Sequence, residues 1–312
     1  MLSARPWKPD AVMRLLLSVF VCYVAGSLLL CAMHYAGAGP KAGRGVYLLT
    51  TAALFCFGVT LGGLRKPWKP EDIERGGSTP SLLFYVGLLG CFYTGILLGA
   101  FALKLAGTFG SAAPTTAQLV VTSLSFHGAA LVFIWFFLRE HQADWLDAFG
   151  LTNNWPHAVL FGLMLASAFL PVGWGLQWLS AQVMTHLPLL PFKPEEQLSV
   201  QTLKAAGSWG QRLALGIVTI ALAPAAEELL FRGILFPWIK QAGFPGLALW
   251  GTSLVFALMH FNAASFVPLF VLAVALALLY ERTDNLLAPI AAHALFNGLN
   301  FSVLFWVNQQ TL

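Results

Sequence analysis

Long apolar runs follow one another along the chain, separated by shorter polar segments. Because a helix needs about 20 mainly apolar residues to cross a bilayer, each run predicts a membrane-spanning helix. The runs are too long and too unbroken for barrel strands of about 10 alternating residues. We predict an all-α, polytopic membrane protein, a bundle of about eight or nine transmembrane helices, with spans near residues 11–36, 45–64, 80–105, 115–138, 156–181, 210–236, 244–261, 264–280 and 286–307.

Composition supports the same class, since 58% of the 312 residues are hydrophobic and only 10% are charged. The formal net charge is +4, but we find no basic stripe or aromatic platform, so a nucleic-acid partner is excluded. The first apolar run exceeds the roughly 7 to 15 residues of a signal-peptide core, so we expect it to remain as a span. Short loops and no targeting signal favour a prokaryotic plasma (inner) membrane.

The span predicted near 210–236 is interrupted by Glu227, Glu228 and Arg232. Each ionisable group at bilayer depth costs roughly 2.5 to 3.5 kcal/mol on insertion scales, which indicates a function. Residues four apart share a helix face, so Glu228 should pair with Arg232. Glu227 is rotated by about 100° from Glu228, and we expect it to remain unpaired and to face a cavity.

Other polar residues lie within or at the ends of neighbouring spans. His260 ends one predicted helix, while His293 and Asn297 are four residues apart on one face of the last helix. His127 and Asn300 are also intramembrane, and we interpret them as structural residues. The segment 186–208 is interpreted as a solvated loop, with a cap or gate over a cavity as the alternative.

A carboxylate and an imidazole that converge on a water in an apolar cavity form a hydrolytic unit. In this hypothesis Glu227 is the general base and His260 orients the same water. His293 and Asn297 would donate hydrogen bonds to the oxyanion that develops on a scissile carbonyl. The buried Glu–Arg pair would be structural.

The residue pattern resembles the CAAX protease and bacteriocin-processing (CPBP, or Abi) family. EELLFR at 227–232 resembles the EExxxR motif, FALMH at 256–260 the FxxxH motif, and HALFN at 293–297 the HxxxN motif, in the same order and with the same spacing. The run at 279–293 also resembles the family's approach to its last histidine, where a short turn and a proline introduce the helix.

The resemblance covers roughly residues 156–312, which we predict to be the peptidase domain, whereas residues 1–155 form an N-terminal transmembrane region of unknown role. It implies an intramembrane endopeptidase related to the type II CAAX prenyl protease, acting on a membrane-associated peptide or protein. The positions that match the family's catalytic residues are Glu227, His260, His293 and Asn297, and those that match its supporting residues are Glu228 and Arg232.

Whether the site uses a metal stays open at this point. Zinc is possible, held by Glu227, His260 and His293, because the family was long classed as metalloproteases. The HExxH arrangement is absent and an amide is an uncommon zinc ligand, so we favour a glutamate mechanism with no cofactor. The alternatives to proteolysis are a membrane scaffold or bacteriocin self-immunity protein, and a proton-coupled transporter.

Overall fold

The computed structural model describes residues 7–36, 116–186 and 196–310, and within these ranges it is helical with no β-strand. The spans predicted at 45–64 and 80–105 lie outside the described residues. The helices, in chain order, are α1 (Pro9–Ala36), α2 (Leu119–Glu140), α3 (Trp145–Ala148), α4 (Trp155–His186), α5 (Leu198–Ala205), α6 (Trp209–Gln241), α7 (Leu247–Leu258), α8 (Ala263–Thr283) and α9 (Leu287–Gln310).

Six of the described helices are long and apolar enough to cross a membrane: α1, α2, α4, α6, α8 and α9. A polytopic all-α membrane protein is therefore confirmed. The full span predicted at 244–261 is wrong in length, because α7 covers only Leu247–Leu258. Its end is set by the chain leaving the helix at Met259 and by Phe261, which adopts a left-handed backbone with φ +49°.

The segment 186–208 is not simply a loop. Among its described residues, Leu198–Ala205 forms the short helix α5, which buries Thr202 and Leu203. Leu203 joins Leu215 of α6 in a small apolar cluster. Burial of these apolar side chains against the start of α6 explains why the segment folds instead of remaining solvated.

The last helix packs closely against α4. At Gly162 of α4, an added Cβ would lie 2.3 Å from the carbonyl oxygen of Ala288 in α9, so only glycine permits this approach. Helix α8 also packs on α4, and α7 packs on α8. Helix α6 packs on α9 in turn, so the helices that carry the three motifs lie in one bundle.

The first described helix packs on α2, and its entry segment reaches the motif helix directly. The Trp7 indole donates a hydrogen bond to the carbonyl of Gly233 in α6 at 3.3 Å. Trp7, Ile134 of α2 and Leu230 of α6 lie in the same apolar core. The described parts of the N-terminal region and the predicted peptidase domain therefore share one core.

A sharp turn introduces α9, as expected from the run at 279–293. Asp284 ends α8 in the left-handed conformation, with φ +48°. The Asn285 amide donates to the carbonyl of Asn153 at 2.8 Å, and its oxygen accepts the Leu287 N–H at 2.8 Å. These bonds fix the start of α9 and hence the position of its polar face.

Candidate active site

The acidic pair lies in the middle of α6, in the α-helical segment Ala223–Glu228 between two π-helical segments, Ile217–Leu222 and Leu229–Leu235. Both glutamates are buried, with 6% of Glu227 and none of Glu228 exposed. Wider turns of this kind are frequent at functional sites, since they re-aim side chains within an otherwise regular helix.

The predicted pairing of Glu228 with Arg232 is confirmed. Arg232 Nη1 donates to Glu228 Oε1 at 2.8 Å, and Nη2 donates to the carbonyl of Ala273 in α8 at 2.9 Å. Arg232 is 1% exposed, so these two acceptors satisfy its guanidinium away from bulk water, and Glu228 supplies the opposite charge. The pair thus also joins α6 to α8.

The contacts of Phe256 explain why the FxxxH motif begins with a phenylalanine. Its ring lies under the Arg232 guanidinium, 4.6 Å from the ring centroid. The same ring is 5.0 Å from the His260 ring and 5.7 Å from the His293 ring, centroid to centroid. One apolar side chain therefore separates the ion pair from His260 and supports both imidazoles.

Glu228 has a second partner that the sequence did not predict. His293 Nδ1 lies 2.8 Å from the same Oε1 atom that accepts Arg232. Both side chains are almost fully buried. The carboxylate interpreted as purely structural therefore also orients the histidine of the third motif.

Glu227 is not unpaired, and that prediction was wrong. His127 Nε2 of α2 lies 2.9 Å from Glu227 Oε1, and Ser123 Oγ lies 2.8 Å from His127 Nδ1. His127, which we interpreted as a structural residue, is thus the partner of Glu227. Helical phase within α6 cannot reveal a partner that arrives from another helix, although the rarity of intramembrane histidines was a usable signal.

His260 is held in one orientation by its own helix. Its Nδ1 lies 2.8 Å from the carbonyl oxygen of Phe256, which can only accept a hydrogen bond. Nδ1 is therefore the protonated nitrogen, and in the neutral ring Nε2 carries a lone pair. This tautomer suits a group that accepts a hydrogen bond from water.

Asn297 is anchored to the motif helix. One N–H of its amide donates to the carbonyl of Thr219 at 3.0 Å, and Thr219 lies in the first π-helical segment of α6. An amide nitrogen has two hydrogens, so one remains for another acceptor. Asn300, by contrast, accepts from the Trp174 indole at 2.8 Å, which agrees with the structural role predicted for it.

Glu227 lies near three histidines. His127 contacts its carboxylate directly, and His260 and His293 are near enough to interact with it electrostatically. Its Oε2 atom is buried without a hydrogen-bond partner among the described residues. A buried carboxylate oxygen of this kind can bind and deprotonate a water, because leaving it unsatisfied is unfavourable.

The described residues do not fit a metal centre. Within residues 7–36, 116–186 and 196–310, the His, Cys, Asp and Glu side chains form no group of three that could hold an ion. Glu227 Oε1 is engaged by His127, and Glu228 is engaged by Arg232 and His293. We therefore derive no step through zinc.

The region that carries the motifs is similar in sequence to known proteins. Residues 209–299 match the family model described as "Type II CAAX prenyl endopeptidase Rce1-like". The chain is also 40% identical over 78 residues to "Uncharacterized protein YpbD" of Bacillus subtilis (strain 168). That similarity covers 24% of this chain and 37% of the relative. No solved structure matches the chain.

The matched region contains all three motifs and every predicted site residue from Glu227 to Asn297. It begins at Trp209, the first residue of α6, and ends within α9. Residues 209–299 are thus similar to the CAAX protease and bacteriocin-processing family, which includes the type II CAAX prenyl endopeptidases.

Proposed function

We propose that this protein is a glutamate-type intramembrane endopeptidase that hydrolyses a peptide bond in a membrane-associated protein or peptide. The observation that carries the proposal is the buried Glu227 carboxylate, which has one free oxygen and electrostatic links to three histidines. The family match to a type II CAAX prenyl endopeptidase supports the same reaction class.

The first chemical step is the attack of water. Glu227 Oε2 accepts one proton from the water while the lone pair on His260 Nε2 accepts a hydrogen bond from its other O–H. The water oxygen then forms a bond to the carbonyl carbon of the scissile peptide. The carbonyl π electrons move to its oxygen, which becomes the oxyanion of a tetrahedral intermediate.

His293 and Asn297 stabilise that oxyanion. Asn297 donates its second N–H, and His293 donates from Nε2. Donation from both ring nitrogens, Nδ1 to the Glu228 carboxylate and Nε2 to the oxyanion, requires the imidazolium form of His293. Glu228 would then orient the ring for this donation.

The second step breaks the peptide bond. Glu227 returns its proton to the amide nitrogen, the C–N bond electrons leave with that nitrogen, and the carbonyl reforms. The products are a carboxylic acid and an amine, and the base is regenerated. Neither step uses a cofactor.

The family description and the membrane setting together define the substrate class that we propose. Because the site lies on spanning helices, we propose that the scissile bond reaches it from the membrane, as in a peptide held at the bilayer surface. A prokaryotic plasma membrane is the location we propose, supported by similarity to a bacterial protein. We also propose that residues 156–312 form the peptidase domain.

The test compares membrane-peptide termini in cells that make the wild type, Glu227→Gln or Glu196→Gln. Glu196 is an exposed glutamate paired with Lys204, so it controls for the loss of a carboxylate elsewhere. We expect specific new termini in the wild type and in Glu196→Gln, and their absence with Glu227→Gln at equal protein level.

Full processing by Glu227→Gln would refute the hydrolytic proposal. An unchanged cellular phenotype would then favour the scaffold or self-immunity alternative. Proton-dependent flux into vesicles that contain the purified chain would favour a transporter.

A further inference from the structure

We propose that His127 is a positioning residue for Glu227, so that the N-terminal region contributes a side chain to the active site. This inference rests on the proposed function, in which Glu227 is the general base. It also assigns a role to part of residues 1–155, for which the sequence indicated none.

The contact is tertiary and buried. His127 Nε2 and Glu227 Oε1 lie 2.9 Å apart although the two residues are 100 positions apart in the chain. Their side chains are 15% and 8% exposed, so the hydrogen bond is shielded from bulk water. A charge-assisted bond in such surroundings holds a carboxylate in one rotamer.

Ser123 contacts the ring nitrogen of His127 that faces away from the glutamate. Its Oγ lies 2.8 Å from His127 Nδ1 and is one helical turn earlier in α2. If the hydroxyl donates to Nδ1, the neutral ring carries its hydrogen on Nε2, which is directed at Glu227. The Phe126 ring packs nearly perpendicular to the imidazole, with 5.0 Å between the ring centroids and 85° between the ring planes, and limits its rotation.

Because of this hydrogen bond, the two carboxylate oxygens of Glu227 have different surroundings. Oε1 is held by His127, whereas Oε2 is buried without a hydrogen-bond partner in the described part of the chain. Oε2 is therefore the atom that receives the proton from water. Without His127 the carboxylate could rotate and exchange its oxygens, which would lower the fraction of productive geometry.

The order Ser123, His127, Glu227 also suggests a different chemistry, with the serine as a nucleophile. Ser123 is 5% exposed, and it faces Nδ1 from within the same helix. We favour positioning because a hydroxyl one turn away on the same helix is a local partner of the ring. The two mechanisms differ in the effect expected for Ser123→Ala.

The experiment uses the full-length chain in phosphatidylcholine and phosphatidylglycerol vesicles. The probe is a quenched fluorogenic peptide with a farnesylated cysteine followed by three residues. The variants are His127→Leu, His127→Gln, Ser123→Ala and the matched control His157→Leu. His157 is an exposed histidine whose Nδ1 lies 2.6 Å from Asn154 Oδ1.

We expect His127→Leu to lower kcat roughly 10- to 100-fold with KM nearly unchanged, the effect of losing one hydrogen bond to a charged group. His127→Gln should retain most of the rate, because its amide N–H replaces that of Nε2. Ser123→Ala should have a smaller effect than His127→Leu. Equal losses in His127→Leu and His127→Gln, or wild-type rates in both, would overturn the proposal.

Loss of activity in Ser123→Ala as complete as in Glu227→Gln would also overturn it, in favour of a serine nucleophile. A double-mutant cycle of unfolding with His127→Leu and Glu227→Gln tests the contact without any substrate. We expect non-additive stabilities, and additive ones would contradict the proposal. If the wild type does not cleave the probe but the coupling is present, the proposed substrate class fails while the contact stands.

Discussion

Glu228 and His293 are joined by a buried 2.8 Å contact between the glutamate Oε1 and the histidine Nδ1. The same oxygen accepts a hydrogen bond from Arg232. One carboxylate therefore balances a structural cation and orients a candidate catalytic imidazole. The stability of α6 and the chemistry of α9 are coupled at this atom.

The first prediction separates these two roles of Glu228. Glu228→Gln alone leaves the Arg232 charge buried without its partner, and we expect a loss of about 3 to 5 kcal/mol in the free energy of unfolding. Adding Arg232→Met removes that charge and should restore much of the stability. It should not restore hydrolysis, because His293 still lacks a carboxylate.

Thermal unfolding in detergent and peptide cleavage are measured on the same preparations. Recovery of activity together with stability in the double variant would mean that Glu228 acts only through folding. The stability-only role that helical phase suggested for Glu228 would then be correct.

The second prediction concerns the oxyanion. Asn297→Ala should lower kcat by about 10²- to 10³-fold with little change in KM, since the donated hydrogen bond forms only in the transition state. Asn300→Ala is the matched control, because this amide lies on the same helix and bonds Trp174 and the Phe296 carbonyl instead. Similar losses in both variants would argue against an oxyanion role for Asn297.

The third prediction concerns pH and the contact between the first two described helices. His141 follows α2; its Nδ1 donates to the Phe137 carbonyl at 2.8 Å, and its Nε2 accepts the Lys8 N–H at 3.1 Å. Burial lowers the pKa of His141, and Lys8 acts in the same direction, whereas the hydrogen bond to the Phe137 carbonyl and the charges of Glu140 and Asp10 oppose the shift. A proton on Nε2 would replace the acceptor with a donor.

The unfolded chain therefore binds more protons than the folded chain at this site. The stabilising contribution is fully present above the unfolded value of about 6.5 and is lost as the pH falls from there through the lowered folded pKa. The free energy of unfolding, measured with denaturant in detergent at about pH 8 and about pH 5, gives this contribution as the difference between the two values. His141→Gln should reduce the difference between the two pH values, and an unchanged difference would exclude His141 as its source.

The fourth prediction concerns metal. The purified chain should contain no stoichiometric zinc, and its activity should survive treatment with a strong chelator, because the described side chains provide no three-ligand group. Elemental analysis and cleavage before and after chelation measure this. Stoichiometric zinc that is needed for turnover would require a different mechanism at Glu227.

The local part of the site could be predicted from the sequence, and the tertiary part could not. Glu228 and Arg232 pair because they are four apart on one helix, a relation that spacing alone determines. The contacts of Glu227 with His127 and of Glu228 with His293 depend on which helices are neighbours. Apolar periodicity carries no information about neighbours when a helix is apolar all round.

Some helix boundaries could likewise be predicted from the sequence, and others could not. The described long spans follow hydropathy, because bilayer thickness sets their length. The hydropathy pattern predicted too long a helix for α7, because α7 ends before a residue with a left-handed backbone. It did not predict α5, because that helix is stabilised by packing on α6. Both features depend on local geometry or tertiary contacts that a hydropathy window averages away.

The π-helical segment Ile217–Leu222 contains the carbonyl that anchors Asn297 and lies directly before the α-helical segment Ala223–Glu228 that carries the acidic pair. A π-helical turn holds about one residue more than an α-helical turn, and one residue of α-helix corresponds to a rotation of about 100°. If this segment were α-helical with the same number of residues, Glu227 would turn by about that angle relative to Thr219 and leave the side of α6 that meets Asn297. The direction in which Glu227 points thus depends on the backbone hydrogen-bonding pattern of the preceding turn as well as on its position in the sequence.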